Sequence, residues 1–214
     1  MEKVVVVDYG SGNLRSAEKA LQRAALETGG SAEVMASSDP DQIASAQRIV
    51  LPGVGAFRAC MDALSARDGL IEAMSFAVRK RGAPFLGICV GMQLLASRGL
   101  EFEPVRGLDW IGGETRALAA PDRRTRLPHM GWNTLRGPMP PELFGGLAAE
   151  PHMYFTHSFA FFPSEDSCVA AWCDHGEAFP AAVLSENLAG VQFHPEKSQD
   201  LGLVLLANFL GWTP

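Results

Sequence analysis

A chain of 214 residues, 47% hydrophobic and 20% charged, is long enough to bury one substantial core as a single domain. A formal net charge of −6 argues against nucleic-acid binding, which calls for a basic face, and no stretch approaches the ~20 apolar residues of a membrane span. Four cysteines (Cys60, Cys89, Cys168, Cys173) without an export signal point to reduced thiols in the cytoplasm.

In chain order, "KVVVVDY" is short and β-branched, as a fully buried strand is. "SGNLRSAEKALQRA" puts Leu14, Ala17, Leu21 and Ala24 on one helix face, with Asn13 or Ser11 as cap. "SAEVMAS" reads as a second strand, "DPDQIASA" as a short helix opened by Asp-Pro, and "RIVLPG" as a third strand. A helical stretch is expected from about Cys60 to Lys80, interrupted near Asp68-Gly69 and stopped by Gly82 and Pro84. "PFLGI" is a fourth strand, and "GMQLLAS" opens the next helix. Alternation of this kind predicts a parallel sheet with helices on both faces.

After Gly99 the segments "WIGGETRAL", "RLPHMGWNTL", "MYFTHSFAFF", "CVAAWCD" and "PAAVLSEN…AGVQFH" are strand-like, with a hairpin turn expected over Asn187–Gly190. "LGLVLLANFLGW" closes the chain as a helix. The fold class is therefore α/β, a mixed sheet parallel at its centre with antiparallel strands added. Two basic runs, Arg79-Lys80-Arg81 and Arg123-Arg124-Thr125-Arg126, read as a helix end and a solvated loop. Cys168, Cys173 and His175 cluster in sequence but fit no familiar zinc spacing, so no metal is expected.

Gly87-Ile88-Cys89-Val90-Gly91 has the form G-x-nucleophile-x-G between a strand and a helix. Such a turn projects the nucleophile from the strand end, and the Val90 backbone N–H is placed to donate to an oxyanion. A cysteine nucleophile needs a base, and the base an orienter. Among five histidines, His194 alone has a well-spaced carboxylate: Glu196, two residues on, points the same way in an extended segment. Pro52-Gly53-Val54-Gly55 ends a strand with little steric cover, so Gly53 or Val54 can give the second oxyanion donor if the two strands are neighbours. As a phosphate loop this segment lacks the Lys-Ser/Thr, and "DYGSGNLRS" lacks the third glycine of a dinucleotide fingerprint.

Cys89 in "GICVGMQ" with His194-Pro195-Glu196 resembles the triad of class I glutamine amidotransferases. "VDYGSGNLRS", "LPGVGAF", "FLGICVGMQLL", "PHMGWN", "YFTHSF" and "VQFHPEKSQ", in that order, further resemble the glutaminase subunits of imidazole glycerol phosphate synthases. Val90 stands where leucine is usual, and Phe159 where tyrosine is frequent. The resemblance implies a three-layer α/β/α fold and no cofactor. It implies glutamine hydrolysis through a Cys89 thioester, with His194 as proton carrier and Glu196 fixing its tautomer. Gln93 and the backbone around His157, Ser158 and Phe159 would hold the substrate. Ammonia would pass to a separate (β/α)₈-barrel cyclase, as a heterodimer in histidine biosynthesis. Ser11, Asn13, the Met130–Asn133 turn with Trp132 and Asn133, and Lys197 would meet that partner. It also suggests a switch, with the Gly53–Val54 donor misplaced until the partner binds its nucleotide. Glutaminase subunits serving anthranilate synthesis usually carry histidine at the Met92 position.

Overall fold

The computed structural model describes residues 2–30, 32–121 and 125–214. Arg123 and Arg124 of the second basic run lie outside them, and Arg126 is exposed. The first half of the chain alternates. Strands β1 (Glu2–Val7), β2 (Ala32–Ser37), β3 (Arg48–Gly53) and β4 (Phe85–Cys89) are linked by α1 (Leu14–Glu27), α2 (Pro40–Ser45), α3 (Phe57–Ser65) and α4 (Leu70–Ser75). The last runs on as a π-helical stretch, Phe76–Lys80. After β4 come the one-turn helix α5 (Val90–Gln93), then β5 (Arg98–Gly99), β6 (Val105–Arg106), β7 (Gly113–Ala117) and β8 (His129–Thr134). Helix α6 (Pro141–Phe144), β9 (His152–His157), β10 (Phe159–Pro163), β11 (Val169–His175), β12 (Glu177–Ser185), β13 (Leu188–Val191) and α7 (Gln199–Gly211) complete the order.

The main sheet has seven strands in the order β11-β12-β13-β4-β3-β1-β2. Pairing is parallel from β13 through β4, β3 and β1 to β2, and antiparallel between β11, β12 and β13. The expected mixed sheet with a parallel centre is therefore present. Helix α1 packs on α7, and α2 on α4. Val4 to Val7, Ile49 to Leu51 and Phe85 to Leu86 are fully buried, as strands covered on both faces must be. At the helix starts, Asp39 accepts from the Asp41 N–H at 2.9 Å, whereas Asn13 occupies the N-cap of α1 without a side-chain cap bond.

Several elements depart from the sequence reading. The helix after Cys89 lasts one turn, because the carbonyls of Leu94, Leu95 and Ala96 accept from N–H groups of Leu108, Trp110, Ile111 and Asp109. Their side chains are fully buried, so no solvent face was needed to continue a surface helix. The α3 helix starts at Phe57, not Cys60: the Glu101 carboxylate accepts the Phe57 N–H at 2.9 Å and caps it from a distant loop. Met130–Asn133 is a strand, not a turn, paired with β9 in a separate two-stranded sheet. "MYFTHSFAFF" breaks at Ser158 into strands of two different sheets. The hairpin turns at Glu186-Asn187, one step ahead of the expected place, since Ser185 already pairs with Leu188. Glu186 takes the left-handed φ of 51°, and the Asn187 amide donates to the Val78 and Ala83 carbonyls.

Candidate active site

Strand β4 delivers Cys89 to its carboxyl end, with φ 55° and ψ −112°. A side-chain-bearing residue at positive φ is strained, and strain held by its surroundings marks a functional position. The surroundings are two glycines. A Cβ on Gly87 would lie 2.5 Å from the Gly91 carbonyl oxygen, and one on Gly91 would run into the Leu51 carbonyl of β3. No larger residue fits at either place, which is why the cysteine is flanked as it is. Parallel pairing sets Gly53 beside Cys89, so the condition for a second oxyanion donor on that strand is met.

His194 follows β13 and reaches the same end of the sheet. Its Nδ1 lies 2.8 Å from Glu196 Oε1, and both side chains are buried, 4% and 3% exposed. With Nδ1 engaged by Glu196, the imidazole's other nitrogen is the one left for Cys89, which lines the same cleft. Burial alone would lower the His194 pKa; the bonds to Cys89 and Glu196 outweigh it and hold the imidazole at about 10. The backbone is clamped as well. His194 N–H donates to the Tyr154 carbonyl at 2.9 Å, while Ser198 Oγ donates to the His194 carbonyl at 2.7 Å and accepts from Tyr154 N–H at 3.0 Å.

Cys89 and His194 open onto a cleft of about 290 Å³. Val54, Val90, Gln93, His157, Ser158 and Phe159, all expected at a substrate site, line it. Gly53 does not; it packs behind, where a Cβ would meet the Gly91 nitrogen at 2.7 Å. Val54 is 41% exposed, and its carbonyl accepts from Ser11 Oγ at 3.0 Å and from the Cys60 thiol at 3.4 Å. Gln93 is buried, not an exposed helix residue: Nε2 donates to the Phe159 carbonyl at 2.8 Å and to Gln192 Oε1 at 3.0 Å. The Ser158 carbonyl is engaged by Leu118 N–H, so the carbonyls of Ser158 and Phe159 already have internal donors.

The Phe159 carbonyl also lies 2.9 Å from His157 Nδ1, and that contact fixes two tautomers. A carbonyl only accepts, so His157 Nδ1 carries the proton. Burial pushes the His157 pKa down to about 3, so the ring is neutral and its Nε2 is an acceptor. His129 Nδ1, 3.0 Å away, must then donate, and His129 Nε2 accepts from the Asn133 amide at 3.1 Å. Asn133 is half-buried, with further bonds to the Asp174 carbonyl and Thr134 N–H. Trp132 is 47% exposed and Met130 62% exposed, while Lys197 is exposed and lines the cleft.

The cysteine–histidine cluster lies apart from this chemistry. Cys173 is buried in β11, its thiol pushed up to about 12 by burial, and His175 stacks on His129 and bonds the Arg126 carbonyl. Arg81 of the first basic run donates to the Ala44 and Ala46 carbonyls at the end of α2. The sequence reading missed four residues. Glu101 lines the cleft from a loop with no local motif. Ser198 and His129 act through contacts between distant strands. Gln192 was legible only as the residue two before His194, as Glu196 is two after it. The segment is not the extended one expected, since Glu196 sits in a 3-10 turn over Pro195–Lys197.

The chain from residue 5 to 211 matches the family model described as glutamine amidotransferase class-I. It is 54% identical over 214 residues to an imidazole glycerol phosphate synthase subunit HisH of Caulobacter vibrioides, with 100% of each chain covered. It is 50% identical to the subunit of that name from Cereibacter sphaeroides, covering 98% of this chain and 99% of that one. Among solved structures, a glutamine amidotransferase matches with TM-score 0.68 at 19% identity, over 95% of this chain and 98% of that one. A glutamine amidotransferase from Thermotoga maritima matches with TM-score 0.61 at 15% identity, over 98% and 94%. These two likenesses are of fold.

Proposed function

This chain belongs to the class I glutamine amidotransferase family, and we propose that it is the glutamine-hydrolysing subunit of an imidazole glycerol phosphate synthase. One observation carries the reading: a buried His194, held by Glu196 at Nδ1, shares with Cys89 the wall of one cleft. The Cys89 sulfur attacks the carboxamide carbon of glutamine, and the carbonyl electrons move onto oxygen. Backbone N–H groups of Val90 and the Gly53–Val54 segment receive that oxyanion; one such donor is worth about 10²–10³ in rate. His194 gives its proton to the nitrogen, the C–N bond breaks, and ammonia leaves. Water, deprotonated by His194, then opens the thioester to glutamate and frees Cys89. Glu196 holds the imidazole in one tautomer throughout. Glu101, at the cleft, faces the substrate ammonium, and Gln93 braces the Phe159 segment beneath it.

Ammonia released into neutral water would be protonated and useless as a nucleophile. The chain therefore works in the cytoplasm with a (β/α)₈-barrel cyclase, and the product passes directly to it. Val54, Met130 and Trp132 give that partner exposed apolar surface, with Lys197 and the Ser11–Asn13 loop beside it. The bonds from Ser11 and Cys60 hold the Val54 carbonyl, and partner binding releases the segment to bring its donor to the oxyanion. The test is glutamate release by the chain alone and with the cyclase and its nucleotide, beside Cys89→Ala. Stimulation of at least about 100-fold, abolished in the variant, is the expected result. Equal rates with and without the partner would overturn the gating, and an active Cys89→Ala would overturn the nucleophile.

A further inference from the structure

Gln192 takes no part in the scheme above, yet it is fully buried between the helix after the elbow and the sulfur. A glutamine is seldom fully buried, and a buried amide is costly unless its groups are bonded. Here they are bonded in one way. Gln93 Nε2 faces the Phe159 carbonyl, which can only accept, so the nitrogen end of Gln93 is fixed. The second hydrogen of that nitrogen points to Gln192 Oε1 at 3.0 Å, so Gln192's oxygen end is fixed too. Its nitrogen is left facing Cys89 Sγ at 3.6 Å, an ordinary N–H···S separation. A carbonyl thus dictates, through two amides, that a donor and not an acceptor meets the sulfur. An apolar side chain of the same length would fill the space at less cost.

We propose that Gln192 is a positioning residue for the nucleophile: its locked amide donates to the Cys89 sulfur and holds it in line for attack. The inference rests on Cys89 being the nucleophile of the proposed function. Gln192 does not line the cleft, whereas Gln93 does. Loss of its nitrogen alone, with the oxygen kept for Gln93, is therefore felt by the sulfur and not by bound glutamine, which sets apart kcat from KM.

The experiment uses the complex with the cyclase and its nucleotide for glutamine kinetics. Alongside, it measures the rate of Cys89 carboxamidomethylation by iodoacetamide, read on the Cys89 peptide by mass spectrometry. Gln192→Met keeps length and removes both the donor to Cys89 and the acceptor for Gln93. The expected result is kcat and the labelling rate both down by about ten-fold. Gln192→Glu, which keeps the acceptor for Gln93 and replaces the donor by a second oxygen, should lose at least as much, with KM within about two-fold of wild type. It keeps the question decidable if methionine disturbs the fold. Wild-type labelling and kcat in a variant with an unchanged unfolding midpoint would overturn the proposal, as would a loss confined to KM. A wild-type complex that hydrolyses no glutamine would overturn the functional reading instead, and the labelling rates would still decide for or against Gln192.

Discussion

A residue with a β-carbon held at φ 55° and ψ −112° stores roughly 1–3 kcal/mol, and glycine adopts positive φ at little cost. At Cys89 the fold carries that strain to present a sulfur. Cys89→Gly should therefore unfold at a higher temperature than Cys89→Ala, by about 2–4 °C per kcal/mol for a chain of this size, with both inactive. Equal midpoints in calorimetry would mean that the elbow is unstrained. Histidines set the pH dependence of stability, with opposite signs. His194 is raised to about 10, so its contribution is fully present below the unfolded value of about 6.5 and is lost as pH rises to 10. His129 and His157 are lowered to about 4 and about 3, so theirs is present above about 6.5 and is lost as pH falls toward those values. Unfolding free energy should peak near neutrality, and Glu196→Gln should make the alkaline limb shallower without abolishing it, because Cys89 also raises His194, while leaving the acid limb unchanged. Urea titrations from pH 4 to 10 read this directly. Cys89, His194 and Glu196 were legible because they lie in short local motifs, although a 3-10 turn over Pro195–Lys197, and not an extended segment, brings Glu196 back to His194. Glu101 and His129 were not, because their partners lie on strands and helices distant in sequence.

At the scale of elements, β3 and the turn after β4 approach too closely for any side chain at Gly91. Gly91→Ala would press its Cβ into the Leu51 carbonyl and wedge the two strands apart. The expected cost is about 1–3 kcal/mol, with glutamine hydrolysis lost because the Gly53 and Cys89 ends no longer align. An alanine variant with wild-type stability and rate would show that the turn relaxes. The same crowding explains what the sequence announced here: glycines two residues either side of a cysteine can be read as a sharp turn without knowing what they touch. The helix after it was misjudged for a physical reason. Residues 94–96 are uniformly apolar and buried, a pattern shared by helices and buried irregular chain, and their carbonyls are claimed by Leu108–Ile111, whose role nothing local reveals.

Across the whole molecule, the two ends of the main sheet do different work. The carboxyl ends of β3 and β4 carry the site; at the opposite end Arg48 closes the fold. Its Nη1 donates to the Phe209 carbonyl at 3.0 Å and the Trp212 carbonyl at 2.6 Å, and its Nη2 lies 3.2 Å from Glu2. One buried guanidinium so ties α7, β1 and β3 together. Arg48→Met should cost about 2–3 kcal/mol and speed amide exchange at the end of α7, with kcat unchanged in the complex. Loss of activity without loss of stability would contradict this separation. The parallel centre and antiparallel extension of the sheet were legible from alternation and turn signals. Of the two smaller sheets, β7, β8, β9 and β10 fall in segments read as strand-like, whereas the two-residue strands β5 and β6 leave no periodicity to read and the grouping into separate sheets has no local signal.

On the proposed reading, Cys89 makes ammonia for chemistry carried out in another chain. The most direct measurement follows glutamate and imidazole glycerol phosphate together in the assembled complex, with glutamine or an ammonium salt as nitrogen source. The two products should form from glutamine at equal rates. Cys89→Ala should form neither product from glutamine, and the same mutant complex should still cyclise with ammonium, as this reading requires. Imidazole glycerol phosphate formed from glutamine by the Cys89→Ala complex would contradict it.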